Sequence, residues 1–155
     1  MMKSMKHLVG WLLVVVQFAL MAALFLLPRR EASSESALIG GALIVLSLLL
    51  GVLAFRSLGT ALTPTPVPMK GAGLRTSGIY RSMRHPIYLS VLLFVFGYVI
   101  AVGSWGAVGV AASLVLFFVL KSRWEDQLLA AAHPGAWETW AQKTGAFGPA
   151  MRRHR

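Results

Sequence analysis

The sequence predicts an all-α, polytopic membrane protein: four transmembrane helices, the last two a tight hairpin, followed by a cytoplasmic C-terminal helical segment. Three observations predict it. Hydrophobic residues make up 57% of the 155 residues and charged residues only 13%, too apolar for an ordinary soluble domain. The apolar residues gather into uncharged runs of the length a hydrocarbon core requires. The basic residues collect on alternate connections between those runs.

At this length the chain, 1–155, reads as a single membrane-embedded domain. Its first run, 8–27, is twenty residues with no charge and one polar amide, Gln17. Lys3 and Lys6 precede it as in a secretory signal. The run is too long for a signal core, however, and ends in Leu26-Leu27-Pro28-Arg29 without a small-residue cleavage site, so it reads as a retained helix. The second run, 37–55, carries Gly40, Gly41 and Gly51, where helices can approach closely. A long polar connection from Arg56 to His85 then includes Thr63-Pro-Thr-Pro-Val-Pro68, whose alternating prolines favour extended backbone. It reads either as a stiff linker or as a strap carrying the chain over the membrane surface to a site. The third run, 87–120, has thirty-four residues without a charge. One helix of that length would be about 51 Å long, well beyond a roughly 30 Å hydrocarbon core. Gly103-Ser-Trp-Gly106 near its middle predicts a turn, hence spans over 87–103 and 106–120.

Charge sets the expected topology. Lys3, Lys6, five basic residues from Arg56 to Arg84 and six from Lys121 to Arg155 fall on one side. Arg29 and Arg30 fall on the other, offset by Glu31 and Glu35. The positive-inside rule puts both termini and the central loop in the cytoplasm of a protein resident in a plasma (inner) membrane. The formal charge of +10 is therefore no nucleic-acid footprint, because the cations lie between apolar runs rather than along one face. The absence of cysteine excludes disulfides and thiolate catalysis, and the four histidines include no i, i+4 pair, so no metal site is expected. The predicted spans contain no Asp, Glu, Lys, Arg or His, which argues against a proton- or cation-coupled carrier and assigns any polar chemistry to the cytoplasmic interface.

The densest polar stretch runs from Gly73 to Ser90, with Tyr80, Arg81, Arg84, His85 and Tyr88 around Pro86. Proline suits the first turn of a helix, so Arg84 and His85 fall at a helix mouth, where free N–H groups and a partial positive charge attract anions. The plainer reading is a set of basic residues flanking a membrane helix. Beyond the hairpin come Lys121-Ser-Arg-Trp-Glu125-Asp126 and His133-Pro-Gly-Ala-Trp137-Glu-Thr-Trp140. Glu125 and Asp126 are two of only five acids. They read as a polar site facing Arg84 and His85, or as a solvated i, i+4 pair between Lys121 and Glu125. Trp137 and Trp140 equally read as interface anchors.

Taken in order, Gly-x-Tyr-Arg-x-x-Arg-His-Pro-x-Tyr, a hydrophobic hairpin, an acidic pair, then Gly-x-aromatic-x-x-aromatic and a final proline form a pattern. Over roughly 57–149 it resembles the isoprenylcysteine carboxyl methyltransferase and phospholipid N-methyltransferase superfamily of integral membrane enzymes. The resemblance implies S-adenosylmethionine-dependent methyl transfer to a membrane-embedded lipid or prenylated acceptor, through a carboxylate, amine or thiol, at the cytoplasmic interface. It implies a cofactor site made by the loop 70–90 and the tail 121–149, holding no metal. Tyr80, Arg81, Arg84, His85, Tyr88 and Glu125 would bind the cofactor, Arg84 and His85 would serve catalysis, and Trp137 and Trp140 would meet the substrate. On this reading Arg84 holds the cofactor's carboxylate, Glu125 its ammonium or a ribose hydroxyl, and aromatic faces its sulfonium. His85 is then the base that an amine acceptor needs.

The chain departs from that family's pattern at Asp126, usually glutamate, at Ser90, usually glycine, and at Trp137 and Trp140, usually tyrosines. Ala146 stands where an arginine is usual, three before the last proline. That last departure suits a neutral, amine or thiol acceptor better than a carboxylate, unless Arg152, Arg153 or Arg155 takes the arginine's part. Two other readings stand beside the methyltransferase. One is an NADPH-dependent enzyme of the sterol-reductase type; the other is a non-enzymatic membrane protein whose Arg-rich loop contacts anionic lipids.

Overall fold

A computed structural model of the chain describes residues 2–59, 63, 65–68 and 71–150. Among these there is no strand, and the elements are α1 (Met2–Leu26), α2 (Ser34–Leu58), α3 (Pro86–Val102), α4 (Trp105–Ala132) and α5 (Ala136–Ala141), with a 3-10 turn at Gly78–Arg81. Local chemistry sets their ends. α1 stops just before Pro28. Ser33 caps α2, its hydroxyl accepting from the Ser36 N–H at 3.2 Å, and Glu35 lies in the first turn, where the helix dipole favours a carboxylate. Pro86 opens α3, and Gly103 closes it at φ 59°, a left-handed conformation that costs glycine nothing, with its N–H returning to the Val99 carbonyl at 3.0 Å.

The hairpin turn is Gly103-Ser104 alone, so Trp105, expected within the turn, instead begins α4. Nor does α4 stop at 120. Its 28 residues make a rod about 42 Å long that carries Glu125 and Asp126, so the first part of the predicted C-terminal segment, 121–132, is the end of α4.

Residues Ser4–Leu26, α2 and α4 are long and apolar enough to cross a membrane, whereas α3 is apolar but has only 17 residues. Leu8, Trp11, Leu12 and Val15 of α1 and Leu46, Leu48, Leu49 and Leu53 of α2 all point outward. The faces turned inward on α2 are small: Gly40, Ser47, Gly51 and Ala54. Apolar outside and small inside is the arrangement a helix bundle takes in lipid.

Neighbouring helices run antiparallel. A Cβ on Gly40 would stand 2.5 Å from the Gly97 carbonyl oxygen, and one on Gly97 would stand 2.7 Å from that of Gly40, so α2 and α3 touch backbone to backbone. Gly51 meets Ser90 farther along, while Gly41, also expected at a close approach, faces open space. The apolar core joins α1, α3 and α4 through Leu24, Leu92, Val95, Leu114 and Phe118. At one end the Arg30 N–H donates to the Val102 carbonyl at 2.9 Å, joining the first loop to the hairpin turn.

The other end is closed by strap and tail. The strap lies on α1, where a Cβ on Gly10 would meet Thr65 and Val67 at 3.2 and 3.3 Å. The tail folds back tightly, with the Gly145 N–H donating to the Gly148 carbonyl at 2.8 Å. It then receives the N–H groups of Arg84 and His85 on the carbonyls of Gly145 and Ala146, each at 2.9 Å. The N–H groups of Arg84 and His85, just ahead of the first turn of α3, are thus taken by the chain itself. Pro64 of the proline strap, Lys70, and Arg152, Arg153 and Arg155 lie outside the described residues.

The α2–α3 contact yields a paired test. Gly40→Ala should destabilise the protein by about 1–3 kcal/mol, because the methyl group meets backbone that cannot step aside. Gly41→Ala should be neutral, or stabilising by roughly 0.5–1 kcal/mol, since it removes a helix glycine into open space. Thermal unfolding in detergent compares them; equal midpoints would show that the helices do not meet at Gly40.

Candidate functional site

Between the strap, α1, the inner ends of α2, α3 and α4, and the tail lies a cavity of about 520 Å³. That is within the roughly 300–1,000 Å³ of small-molecule sites. Thr63, Thr65, Pro66, Val67 and Pro68 form one wall, so the strap does reach a site. Arg75, Tyr80, Arg84, His85 and Tyr88 come from the loop and the start of α3. Val14, Gln17 and Phe18 come from α1, Lys121, Glu125 and Leu129 from α4, and His133 and Trp140 from the tail.

His85 is the hub. It is only 4% exposed, and its ring stacks on that of Tyr88, one helical turn on, with centroids 5.3 Å apart and planes 2° from parallel. Its Nε2 lies 3.0 Å from Asp126 Oδ1 and its Nδ1 lies 3.6 Å from Glu125 Oε2. An ionised carboxylate only accepts, so in the Asp126 contact Nε2 is the donor and Nδ1 is left to face Glu125. The Tyr88 hydroxyl donates to Glu125 Oε2 at 2.5 Å. The Tyr80 phenol is pushed well above the usual tyrosine range, first by burial and then by the negative charge of Glu125, and stays protonated.

Arg84 departs from its expected part. Its Nε lies 3.2 Å from both Asp126 oxygens, Nη2 pairs with Oδ2 at 3.1 Å, and Nη1 donates to the carbonyls of Thr144 and Ala141. The guanidinium that was to hold the cofactor's carboxylate is instead engaged with α4 and the tail. Arg81 is exposed and lies outside the cavity wall. Trp140 lies in the wall and is buried, its indole N–H donating to the Tyr80 carbonyl at 2.8 Å. Trp137 sits behind Arg84, whose guanidinium lies 5.8 Å from its ring centroid, and its indole N–H is buried without a partner among the described residues.

The residues that sequence reasoning missed are Lys121 and Gln17. Lys121, expected as a solvated partner of Glu125, is 4% exposed and donates to Gln17 Oε1 at 2.6 Å. The clue was Gln17 itself, the one polar residue in the first run, paired with the first cation after the last run. Polar chemistry therefore reaches into the bundle through a side chain that starts beyond the uncharged run. Among the described residues no group of three or more His, Asp or Glu could hold a metal ion.

The phospholipid methyltransferase family profile matches residues 36–134. The matched stretch takes in α2, the strap and loop, the hairpin, and the acids of α4. A search among curated proteins found no match. The family match supports a membrane methyltransferase and lends nothing to the reductase or lipid-contact readings. Since it covers well over half of the chain and includes every residue of the His85 network, the protein belongs to the phospholipid methyltransferase family, within the integral membrane methyltransferase superfamily.

Proposed function

We propose that the protein transfers a methyl group from S-adenosylmethionine to the amine of a membrane lipid at the cytoplasmic end of the bundle. The observation that carries this reading is Glu125 in the cavity wall, oriented by Tyr88 and backed by a His85 that Asp126 fixes in turn. The cavity's chemistry suits the cofactor: an acid for an ammonium or ribose hydroxyl, and the rings of Tyr80, Tyr88 and Trp140 for a sulfonium. When bound, the cofactor supplies a methyl group on a positively charged sulfur.

The chain's own residues do the rest. A lipid amine is protonated at neutral pH and must lose a proton before its nitrogen can attack. Glu125 Oε2 is the acceptor at hand, and His85 Nδ1, 3.6 Å behind it, can take the proton onward while Nε2 stays bound to Asp126. Arg84 acts as a positioning residue that ties the tail to the loop. Strap, α5 and tail exclude water, so alignment of donor and acceptor supplies most of the rate.

The proposed topology is four spans with both termini cytoplasmic, α3 crossing as a short span in its hairpin. Because the chain has no cysteine of its own, single cysteines report it cleanly. One at Ser34 should react with an impermeant maleimide from outside, and one at Ser77 or Gln127 should not; all three are exposed positions. Outside labelling at Ser77 would reverse the site's orientation.

For the site itself, Glu125→Gln and His85→Ala should each weaken S-adenosylmethionine binding by roughly 1–3 kcal/mol, the range for a charged hydrogen bond. Trp137→Phe, off the cavity wall, should change it much less. Calorimetry on purified protein, followed by label transfer to a panel of aminolipid, thiol and prenylcysteine acceptors, tests binding and reaction in turn. Unchanged affinity in both acid-network variants would remove the basis of the reading.

Acceptor preference has its own test at Ala146, whose carbonyl takes the His85 N–H, so that its side chain starts beside the network. Ala146→Arg should raise carboxyl methylation of a prenylcysteine analogue relative to an aminolipid. The change should be about ten- to a hundred-fold if one charge-assisted hydrogen bond of roughly 1.5–3 kcal/mol acts in the transition state. Strong prenylcysteine methylation by the unaltered chain, persisting after truncation beyond Pro149, would show that no arginine source is needed.

A further inference from the structure

Lys121 is buried, yet among the described residues its one hydrogen-bond partner is neutral. The ion pairs among the described residues join Arg84 to Asp126 and His85 to Glu125 and Asp126, and none includes Lys121. A buried cation is ordinarily paired with an anion. Here the ammonium has Gln17 Oε1 at 2.6 Å and three rings about it, with centroids 5.0 Å away at Tyr88, 5.7 Å at Phe117 and 5.8 Å at Phe118. An ammonium has three N–H donors, and the amide takes one. Lys121 and Gln17 both line the cavity.

Lys121 and Glu125 stand one turn apart on the same face of α4, about 6 Å along its axis, and both face the same space. A cation and an acid so spaced complement a zwitterion, a ligand with an acid group at one end and an amine at the other. We propose that Lys121, seated on Gln17, is the oxyanion-binding residue of this cavity, receiving the acid group of the ligand whose amine faces Glu125. The inference rests on the methyltransferase reading for the identity of that ligand, and two sources share the chemistry. One is the phosphate of an aminophospholipid; the other is the carboxylate of the cofactor's amino-acid head. Depth favours the phosphate. Gln17 lies midway along the first apolar run, so Lys121 is on the membrane side of Glu125, where a lipid arrives. Arg84, most of whose N–H donors are already engaged by Asp126 and the tail, leaves the task to other residues.

The test is binding, measured on the full chain in nanodiscs, with a short-chain phosphatidylethanolamine, a phosphate-free alkylamine and S-adenosylmethionine as separate probes. Lys121→Met should weaken the phospholipid by about tenfold or more while leaving the alkylamine and the cofactor within about twofold, and Lys121→Arg should restore most of the loss. Should the cofactor weaken instead, with a decarboxylated analogue unaffected, the oxyanion role stands and its source is the carboxylate. A folded Lys121→Met that binds all three probes like the parent would overturn the proposal and make Lys121 a clamp between α1 and α4. If Lys121→Met does not fold, Gln17→Leu, which keeps the ammonium but frees it, should weaken the same probe by about threefold, and no change there overturns the proposal equally. Because binding is read without turnover, a parent protein that binds phosphate through Lys121 but transfers no methyl group would defeat the proposed function and leave this inference intact.

Discussion

Asp126 is the group on which the geometry of the site depends. Its Oδ1 takes His85 Nε2 at 3.0 Å, and both its oxygens meet the Arg84 guanidinium at 3.1–3.2 Å. Arg84 in turn holds the carbonyls of Ala141 and Thr144. One carboxylate on α4 thereby ties together the loop before α3 and the tail. The side chains of the pair are each 15% exposed, sheltered enough that a lost partner leaves a charge poorly solvated. The stacked His85 and Tyr88 rings, and through them the Tyr88–Glu125 bond, take their positions from this clamp.

The membrane part of the fold delivers those groups to one another. α2 and α3 can approach backbone to backbone only because Gly40 and Gly97 have no side chains to separate them. The two-residue turn at Gly103-Ser104 then fixes the register of α3 on α4. It brings Tyr88 beside Phe118, ring centroids 5.1 Å apart, and sets His85 level with the acids. Lipid offers no hydrophobic force between helices, so close packing of small residues carries this part of the structure.

Much of this was legible in the sequence because the physics is local. Uncharged runs locate the apolar helices, Pro86 the start of α3, and Gly103 the turn; the spacing of Tyr80, Arg84, His85 and Tyr88 marks the loop side of the site. What failed to read out was pairing. A charged stretch marks where a run meets water, but Lys, Arg and Glu are good helix formers, so α4 continues unbroken past residue 120. A positive loop next to a helix mouth signals affinity for anions without saying which anion, and the chain supplies its own in Asp126. Gln17 and Lys121 are separated by 104 positions, so that Gln17 stands out as the one polar residue of its run while its partner is fixed only by the packing of α1 on α4.

Why two adjacent acids are used, rather than one, follows from helix geometry. Successive residues on an α-helix point about 100° apart, so Glu125 and Asp126 cannot serve the same direction. Glu125 turns to the cavity and takes the Tyr88 hydroxyl, while Asp126 turns to the loop and takes Arg84. His85 lies between them, one ring nitrogen toward each. The acid facing the cavity is thereby freed from holding the fold, and its charge is available to a ligand. Aspartate in place of the usual glutamate at 126 leaves this division intact, because the shorter side chain already reaches both Arg84 and His85 at hydrogen-bonding distance. What remains variable is the direction Glu125 serves, and there the neighbouring groups, Tyr88 on its own oxygen and Lys121 one turn away, set which ligand the cavity accepts.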